Sequence, residues 1–374
     1  MKNQRNAIDS PRNRAAQSIK TADRQSREAV LDQPMALMRI RYTRRIKSAV
    51  CLAALLSFFT VIRAPGQNLA EGASHPQDKI SVILSTDVGN EIDDQWAIAY
   101  LLTSSKFNVL GIVSAHAPSL PAPSAHSTYL VLKDEVENRL GMNIHPPLFE
   151  GSSLPLSDIK TPQPNSGTNF IVEESRKFNK EHRLVVLTIG AATDVASAIL
   201  QDPTIVNRIS IVAMAFTNRS ASGAKEYNVQ NDITAWQVLL SSDVPITIGS
   251  GDVCRTYLSL NFEQAKDLIQ SHGPIGSWLW DEYETWYYRN VKPLRVNDFS
   301  RPWIIWDIIT LAYVQNMATG ETVPRPQLGS DLSLTSPSTG KTVTWITAVD
   351  SRLMWNNFLE QLDKYQRRHA VRSQ

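Results

Sequence analysis

Short apolar runs alternate with amphipathic stretches along most of this chain. The apolar runs predict β-strands at 80–85, 109–114, 183–189, 209–216 and 244–248. Apolar residues at helical spacing predict helices at 93–103, 124–140, 193–200 and 232–240. Because the strands are apolar throughout rather than alternately polar, both faces of their sheet must be covered. The pattern therefore predicts an α/β fold with a mostly parallel, doubly wound central sheet and helices on both faces.

The C-terminal part continues this pattern with more aromatic residues. Residues 261–315 predict mostly helix, and we expect their many Trp and Tyr side chains to pack helices onto the sheet. A strand is predicted near 341–347, and a helix at 350–368 has one apolar face. We therefore predict a single domain over residues 79–370.

The segment before residue 79 has a different composition. Residues 1–47 are polar and basic, which predicts disorder. Residues 48–62 carry no charge and follow a basic stretch, which is typical of a secretory signal. We predict a signal peptide with its cleavage site over 48–66, a linker over 67–78, and an exported protein without stable membrane insertion after processing. An uncleaved membrane anchor is the alternative, although the apolar run is short for a bilayer span.

Charge and cysteine content narrow the function classes. The net charge is +2, and much of the basic excess lies in the first 47 residues, so the predicted domain has no dense basic patch. Binding to a phosphate backbone needs such a patch, and we therefore expect no nucleic-acid partner. The two cysteines are Cys51, inside the predicted signal, and Cys254, predicted to be a buried apolar residue. An internal disulfide and a cysteine metal cluster are both excluded for the mature domain.

An acidic loop follows the first predicted strand. Asp87, Glu91, Asp93 and Asp94 lie within eight residues of one another. Ligands of open parallel sheets bind beyond the carboxyl ends of the strands. A divalent cation would neutralise such a cluster, and oxygen-only ligands favour calcium or magnesium. The alternative is a solvated acidic loop in which Asp93 is the N-cap of the following helix.

Other uses of this loop fit less well. It has one glycine, Gly89, and no lysine, unlike a phosphate-binding P-loop, and it lacks the ligand spacing of an EF-hand. A phosphohydrolase with an Asp87 nucleophile is disfavoured because Gly89 stands where a second aspartate would be needed.

Several segments together resemble one enzyme family. The stretch STDVGNEIDDQWAIAYLL resembles the signature of inosine–uridine-type nucleoside hydrolases, in which Asp-x-Asp-Pro-Gly-x-Asp-Asp precedes a helix. The segments LVVLTIGAATDVASAI, KEYNVQNDITAW and IIWDIITLAY follow in the order of that family. The resemblance covers about residues 79–365. It implies a nucleoside hydrolase-like fold and a calcium-dependent hydrolase that cleaves the N-glycosidic bond of nucleosides or related ribosides.

The resemblance also implies a set of metal ligands. Asp87 and Asp94 would bind calcium (Ca²⁺), and Asp87 would also act as general base on the attacking water. The backbone carbonyl of Thr193 and the carboxylate of Asp307 would complete the site. Calcium in such a site positions and acidifies the water.

Substrate residues are implied in the same way. Asp93, Asn228 and Glu226 would bind sugar hydroxyls, and the partner would be a small-molecule nucleoside or riboside. Asn228 and Glu226 have a simpler interpretation as turn residues before the helix that Asp232 would cap. The oligomeric state stays open, a homo-oligomer included.

The chain departs from the family at positions that bear on the leaving group. Ser85 stands where the family has its first aspartate, and Asn90 and Glu91 lengthen the loop. Trp306 replaces a histidine that assists departure of the base in one branch of the family. Trp306 either stacks on a substrate ring or packs in the core, and His116 is a candidate for the missing acid. A hydrolase of another glycoside and a non-catalytic sugar- or calcium-binding protein remain as alternatives.

Overall fold

The computed structural model describes residues 79–291, 299–335 and 340–372. The predicted disordered region, signal peptide and linker (1–47, 48–66 and 67–78) lie outside the described residues. Within the described part of the chain, no helix combines the length and apolar character that a membrane span requires.

The central sheet of the described residues has eight strands. In chain order these are β1 (Ile80–Thr86), β2 (Phe107–Ser114), β3 (Leu148–Glu150), β4 (Leu184–Thr188), β5 (Ile209–Met214), β6 (Ile246–Gly249), β9 (Ala318–Pro324) and β12 (Thr342–Val349). Their order across the sheet is β3-β2-β1-β4-β5-β6-β12-β9. All neighbours pair in parallel except β9, which runs antiparallel to β12 at the edge. Two short antiparallel pairs join β7 (Ser259–Leu260) to β8 (Trp303–Ile304) and β10 (Gln327–Leu328) to β11 (Leu334–Thr335).

Helices connect the strands and cover the sheet. The α-helices are α1 (Asp93–Thr103), α2 (Ser124–Asp134), α3 (Ser166–Ser175), α4 (Thr193–Gln201), α5 (Tyr227–Asn231), α6 (Ile233–Ser241), α7 (Gly251–Tyr257), α8 (Phe262–Ile269), α9 (Gly273–Trp286), α10 (Ile308–Val314) and α11 (Ser351–Arg372). Short π-helical turns extend α2 over Glu135–Arg139 and α9 over Tyr287–Val291, and a 3₁₀ turn spans Pro203–Asn207.

Two apolar clusters lie on opposite faces of the sheet. Val82 and Leu84 of β1 contribute to one cluster, while Ile83 between them contributes to the other. Successive side chains of a strand point to opposite faces, so a strand buried on both sides must be apolar at every position. The prediction of a mostly parallel, doubly wound α/β sheet is confirmed.

Some local predictions need correction. Residues 261–315 are not helical throughout, because Trp303–Ile304 forms β8, which pairs with β7. The antiparallel edge strand β9 and the helix α3 were not predicted. The predicted helix at 124–140 is an α-helix only to Asp134 and continues as a π-turn. The aromatic side chains of α9 behave as predicted, since Trp280 and Tyr283 are buried in the core.

The carboxyl ends of β1, β4, β5 and β6 meet at one edge of the sheet, as parallel pairing requires. The loop after β1 contains Gly89, whose positive φ of 98° suits a residue without Cβ. The loop after β4 contains Gly190, and a Cβ there would lie 2.8 Å from the backbone nitrogen of Asp87. The two loops therefore approach each other more closely than a side chain at Gly190 would allow.

Candidate metal centre and active site

A cavity of about 180 Å³ opens at this edge of the sheet. Its residues come from the loops after β1, β4, β5 and β6 and from the segment before α10. They are Asp87, Asn90, Glu91, Asp93, Asp94, Ile189, Met214, Thr217, Glu226, Tyr227, Asn228, Gly251, Arg255, Trp303, Trp306 and Asp307. Six carboxylates and one cationic side chain occur in this set. The cavity lies where parallel sheets bind ligands.

Three carboxylates form a compact cluster on the cavity wall. One oxygen atom from each of Asp93, Asp94 and Asp307 lies within 4.8 Å of the other two. All three residues are buried, and Asp94 accepts a 2.5 Å hydrogen bond from the hydroxyl of Thr86. The cluster joins the loop after β1 to Asp307, which precedes α10 and lies more than 200 residues later in the chain. Oxygen ligands in this arrangement suit a hard divalent cation.

Asp87 borders the same cavity and has a free oxygen atom. Its side chain is 2% exposed, and Oδ2 is buried without a hydrogen-bond partner. A buried carboxylate oxygen without a partner is costly unless a ligand, an ion or water satisfies it. Gly190 packs against the backbone and side chain of Asp87 and restricts where that carboxylate can lie. The residues present therefore fit a bound metal ion.

Burial and mutual repulsion raise the pKa values of the carboxyl groups around the cluster. Burial raises the pKa of Asp307 well above its usual range, and the charges of Asp93, Asp94 and Asp87 raise it further. Burial, followed by the charge of Asp93, raises the pKa of Asp87 in the same way. Burial, followed by Asp87 and Asp93, raises the pKa of Asp94, while the pKa of Asp93 rises to about 6. A divalent cation would reverse these shifts because it favours the ionised form of each carboxyl.

Asp93 has a different position from the one expected for an N-cap. The N-cap of α1 is Ile92, and Asp93 is the first helical residue. Its carboxylate belongs to the three-carboxylate cluster, although the resemblance assigned it to sugar hydroxyls. The interpretation of Asp93 as a helix cap is therefore wrong.

Glu226 and Asn228 line the cavity and also hold local structure. Glu226 caps α5 through bonds from the backbone nitrogens of Asn228 and Val229, 2.9 and 3.0 Å long. Burial raises the pKa of Glu226 to about 7, and these backbone groups oppose the rise. The side-chain nitrogen of Asn228 donates to the carbonyls of Ile189 and Met214. Both residues therefore fix the cavity wall, and Asp232 caps α6 as predicted.

Thr193 does not line the cavity. Its hydroxyl donates to Asp232 Oδ2 at 2.6 Å and lies 3.1 Å from His116 Nε2, behind the loop. Ile189, four residues earlier, lines the cavity instead. Both residues belong to the segment from the end of β4 to the start of α4, and Gly190, next to Ile189, is the residue of this segment that approaches Asp87.

His116 also lies outside the cavity. It is buried, and desolvation lowers its pKa, with the charge of Asp232 opposing. Because the single Thr193 proton goes to Asp232, the Nε2–H of His116 donates to Thr193. The histidine belongs to a structural hydrogen-bond chain rather than to the leaving-group side of the site.

The more exposed part of the cavity is formed by Trp306 and by three residues to which the sequence gave no role, Tyr227, Trp303 and Arg255. Tyr227 is 41% exposed, and its hydroxyl donates to Asn90 at 3.0 Å. Trp306 is partly buried against the core and also lines the cavity, and the Arg255 guanidinium lies 5.0 Å from the centre of its ring. Trp303 lines the same wall, and its indole N–H lies beside the carboxyl of Glu91. Trp306 thus packs against the core, as one of its two interpretations predicted, and also lines the cavity.

The fold and the site together define a doubly wound α/β protein with a carboxylate-rich pocket at the carboxyl edge of its sheet. Residues 82–366 match the profile of the inosine-uridine preferring nucleoside hydrolases. The chain belongs to this family, and it is accordingly an N-glycosyl hydrolase. The resemblance noted in the sequence is confirmed.

Solved structures show the same fold. A plant nucleoside hydrolase superposes with a TM-score of 0.62 and 15% identity, covering 76% of this chain and 99% of that one. A purine-preferring ribonucleoside hydrolase from Gardnerella vaginalis has a TM-score of 0.57 and 21% identity, covering 76% and 98%. An uncharacterised protein of Schizosaccharomyces pombe is 26% identical over 196 residues, which span 46% of this chain and 62% of that protein.

Proposed function

We propose that this protein is a calcium-dependent hydrolase that cleaves the N-glycosidic bond of nucleosides or related ribosides with water as the nucleophile. The observation that carries the proposal is the convergence of Asp93, Asp94 and Asp307 within 4.8 Å beside the free oxygen of Asp87. Carboxylates around one cavity suit a sugar that gains positive charge as its C–N bond breaks. Family membership and the solved relatives support the same reaction.

The side chains of the cavity have different proposed roles in this reaction. Asp87 Oδ2 is free to accept a proton from water and is placed by Gly190. Asp94 and Asp307 are the proposed metal ligands, and Asp93, whose carboxylate belongs to the same cluster, would hold a sugar hydroxyl next to the ion. Calcium bound there would polarise a water molecule and hold neighbouring sugar hydroxyls. Glu226 and Asn228 border the cavity where the remaining hydroxyls of a ribose would lie.

The proposal is tested with Asp87→Asn, which preserves shape and removes the base. Purified protein is incubated with inosine, uridine and a nitrophenyl riboside, with calcium and with chelator. We expect chelator-sensitive cleavage by the unaltered protein and a loss on the order of a hundredfold or more in the variant, the scale of a missing general base. Exposed Asp267→Asn is the control and should keep full activity. Near-normal turnover by Asp87→Asn would refute the role of Asp87.

We further propose that the protein is exported. The support is the uncharged run at 48–62 after Arg44, Arg45 and Lys47. N-terminal sequencing of protein recovered outside the cytoplasm should find a start near residue 66. Recovery of the full chain from the membrane fraction would favour the uncleaved anchor instead.

A further inference from the structure

The two residues that lengthen the acidic loop cross the mouth of the cavity. Asn90 Oδ1 accepts hydrogen bonds from the hydroxyls of Tyr227 and Ser119. Glu91 accepts a 2.9 Å hydrogen bond at Oε1 from the indole N–H of Trp306. The longer loop is therefore attached to both walls of the cavity rather than left free in solvent.

Glu91 is held at its backbone as well as at its carboxyl. The side-chain amide of Gln95, oriented to match its neighbours, donates to the carbonyls of Glu91 and Ile92 at 3.0 and 3.1 Å. Since Trp306 fixes Oε1, the carboxyl is held in place before any ligand arrives. Groups held in this way discriminate well between ligands, because they cannot relax to compensate for a missing partner.

The cavity has two chemically different ends. Asp87, Asp93, Asp94 and Asp307 lie at its buried end, which the proposed function assigns to the metal and the sugar. The other end is aromatic and more exposed, with Tyr227, Trp303, Trp306 and Arg255 around Glu91. An aglycone joined to a sugar at the buried end would extend toward these rings. Glu91 is the carboxylate at this end.

We propose that Glu91 is a specificity-determining residue for the leaving group, accepting a hydrogen bond from an N–H group of a nucleobase. This inference rests on the proposed function. Trp306 holds one oxygen of the carboxyl toward the wall, and a carboxyl group has further acceptor positions, so it can accept a hydrogen bond from a ligand. The indole N–H of Trp303 lies beside the same carboxyl and helps to hold it. Glu91 therefore matches the edge of a heterocycle that carries an N–H.

The test compares substrates that differ in this edge. Inosine and uridine carry an N–H and a carbonyl on the base, whereas a nitrophenyl riboside has neither. In Glu91→Ala, kcat/KM for both nucleosides should fall by about 10- to 100-fold, the effect of leaving buried polar groups unpaired. The nitrophenyl riboside should change by less than about threefold, since it makes no such bond. Exposed Glu173→Gln on α3 is the matched control, and thermal unfolding checks that Glu91→Ala is folded.

The possible outcomes distinguish a failure of this inference from a failure of the proposed function. An equal fall for nucleosides and nitrophenyl riboside would overturn the inference and make Glu91 a general structural residue. Unchanged kcat/KM for the nucleosides would overturn it as well. If the unaltered protein with calcium cleaves neither kind of substrate, the proposed function fails and the inference fails with it.

Discussion

Removing one carboxylate from the acidic cluster should stabilise the metal-free protein. At an effective dielectric constant of about 20, two unit charges 4.8 Å apart repel by about 3.5 kcal/mol. Asp307 faces Asp93 and Asp94 within that distance, and protonation relieves only part of the cost. Asp307→Asn removes the charge and keeps a donor that can bond to Asp93. We expect the free energy of unfolding without metal to rise by about 1–3 kcal/mol.

The same substitution should abolish most of the response to calcium. A ligand at about 100 times its Kd stabilises a protein by about 2.7 kcal/mol, and this gain requires intact ligands. Thermal unfolding followed by circular dichroism, in chelator and across a calcium series, measures both effects. The unaltered protein should gain thermal stability when calcium is added. Asp307→Asn should be more stable than the unaltered protein in chelator and should gain little stability from calcium. Asp267→Asn, an exposed substitution, should resemble the unaltered protein in both conditions.

Two results would refute this reasoning. If Asp307→Asn is less stable than the unaltered protein in chelator, repulsion within the cluster is not a significant cost. If its calcium-induced rise in Tm equals that of the unaltered protein, Asp307 is not a ligand. The second result would also remove the main support for the proposed metal centre.

Two further predictions concern neighbouring loops. Gly190→Ala places a Cβ 2.8 Å from the backbone nitrogen of Asp87, so turnover should fall by about 100-fold while the fold is retained; normal kcat would contradict the placement of the base. Burial raises the pKa of Asp194 to about 6, so the stability contribution of this group is full below pH about 4 and is lost as the pH rises through 6. Asn at position 194 has no proton to lose, so the free energy of unfolding of Asp194→Asn should not contain this pH-dependent loss. Measured by urea unfolding, the difference between Asp194→Asn and the unaltered protein should shift by about 3 kcal/mol in favour of the variant from pH 4 to pH 7. A pH-independent difference between the two proteins would show that Asp194 is not the titrating group.

Local patterns in the sequence predicted much of the scaffold. The apolar runs that became β1, β2, β4, β5 and β6 are buried on both faces, and this burial is why their composition is so distinctive. The edge strand β9 escaped prediction because most of its residues are exposed and its sequence carries no such signal. Helix α3 escaped prediction because its buried positions include Gly167, Thr168 and Ser175, so its buried face has few apolar residues.

The residues of the candidate site could likewise be predicted from the sequence only in part. The acidic residues after β1 could be found because they are adjacent in sequence and lie at the end of a recognisable strand. The place of Ile189 rather than Thr193 on the cavity wall depends on how closely Gly190 approaches Asp87, which is a distance between separate loops. The hydrogen bond between Glu91 and Trp306 joins residues 215 positions apart, so no local sequence pattern could indicate it.

The sequence by itself determined the fold class and the family, because both follow from burial patterns and short motifs that act within a few neighbouring residues. Most carboxylates of the candidate site could also be identified from the sequence. Only the tertiary structure decided which of them meet, since Asp307 reaches Asp93 and Asp94 through packing of α10 against the sheet and not through chain proximity. It also decided that His116 bonds to Thr193 outside the cavity and that Glu91 lines the cavity.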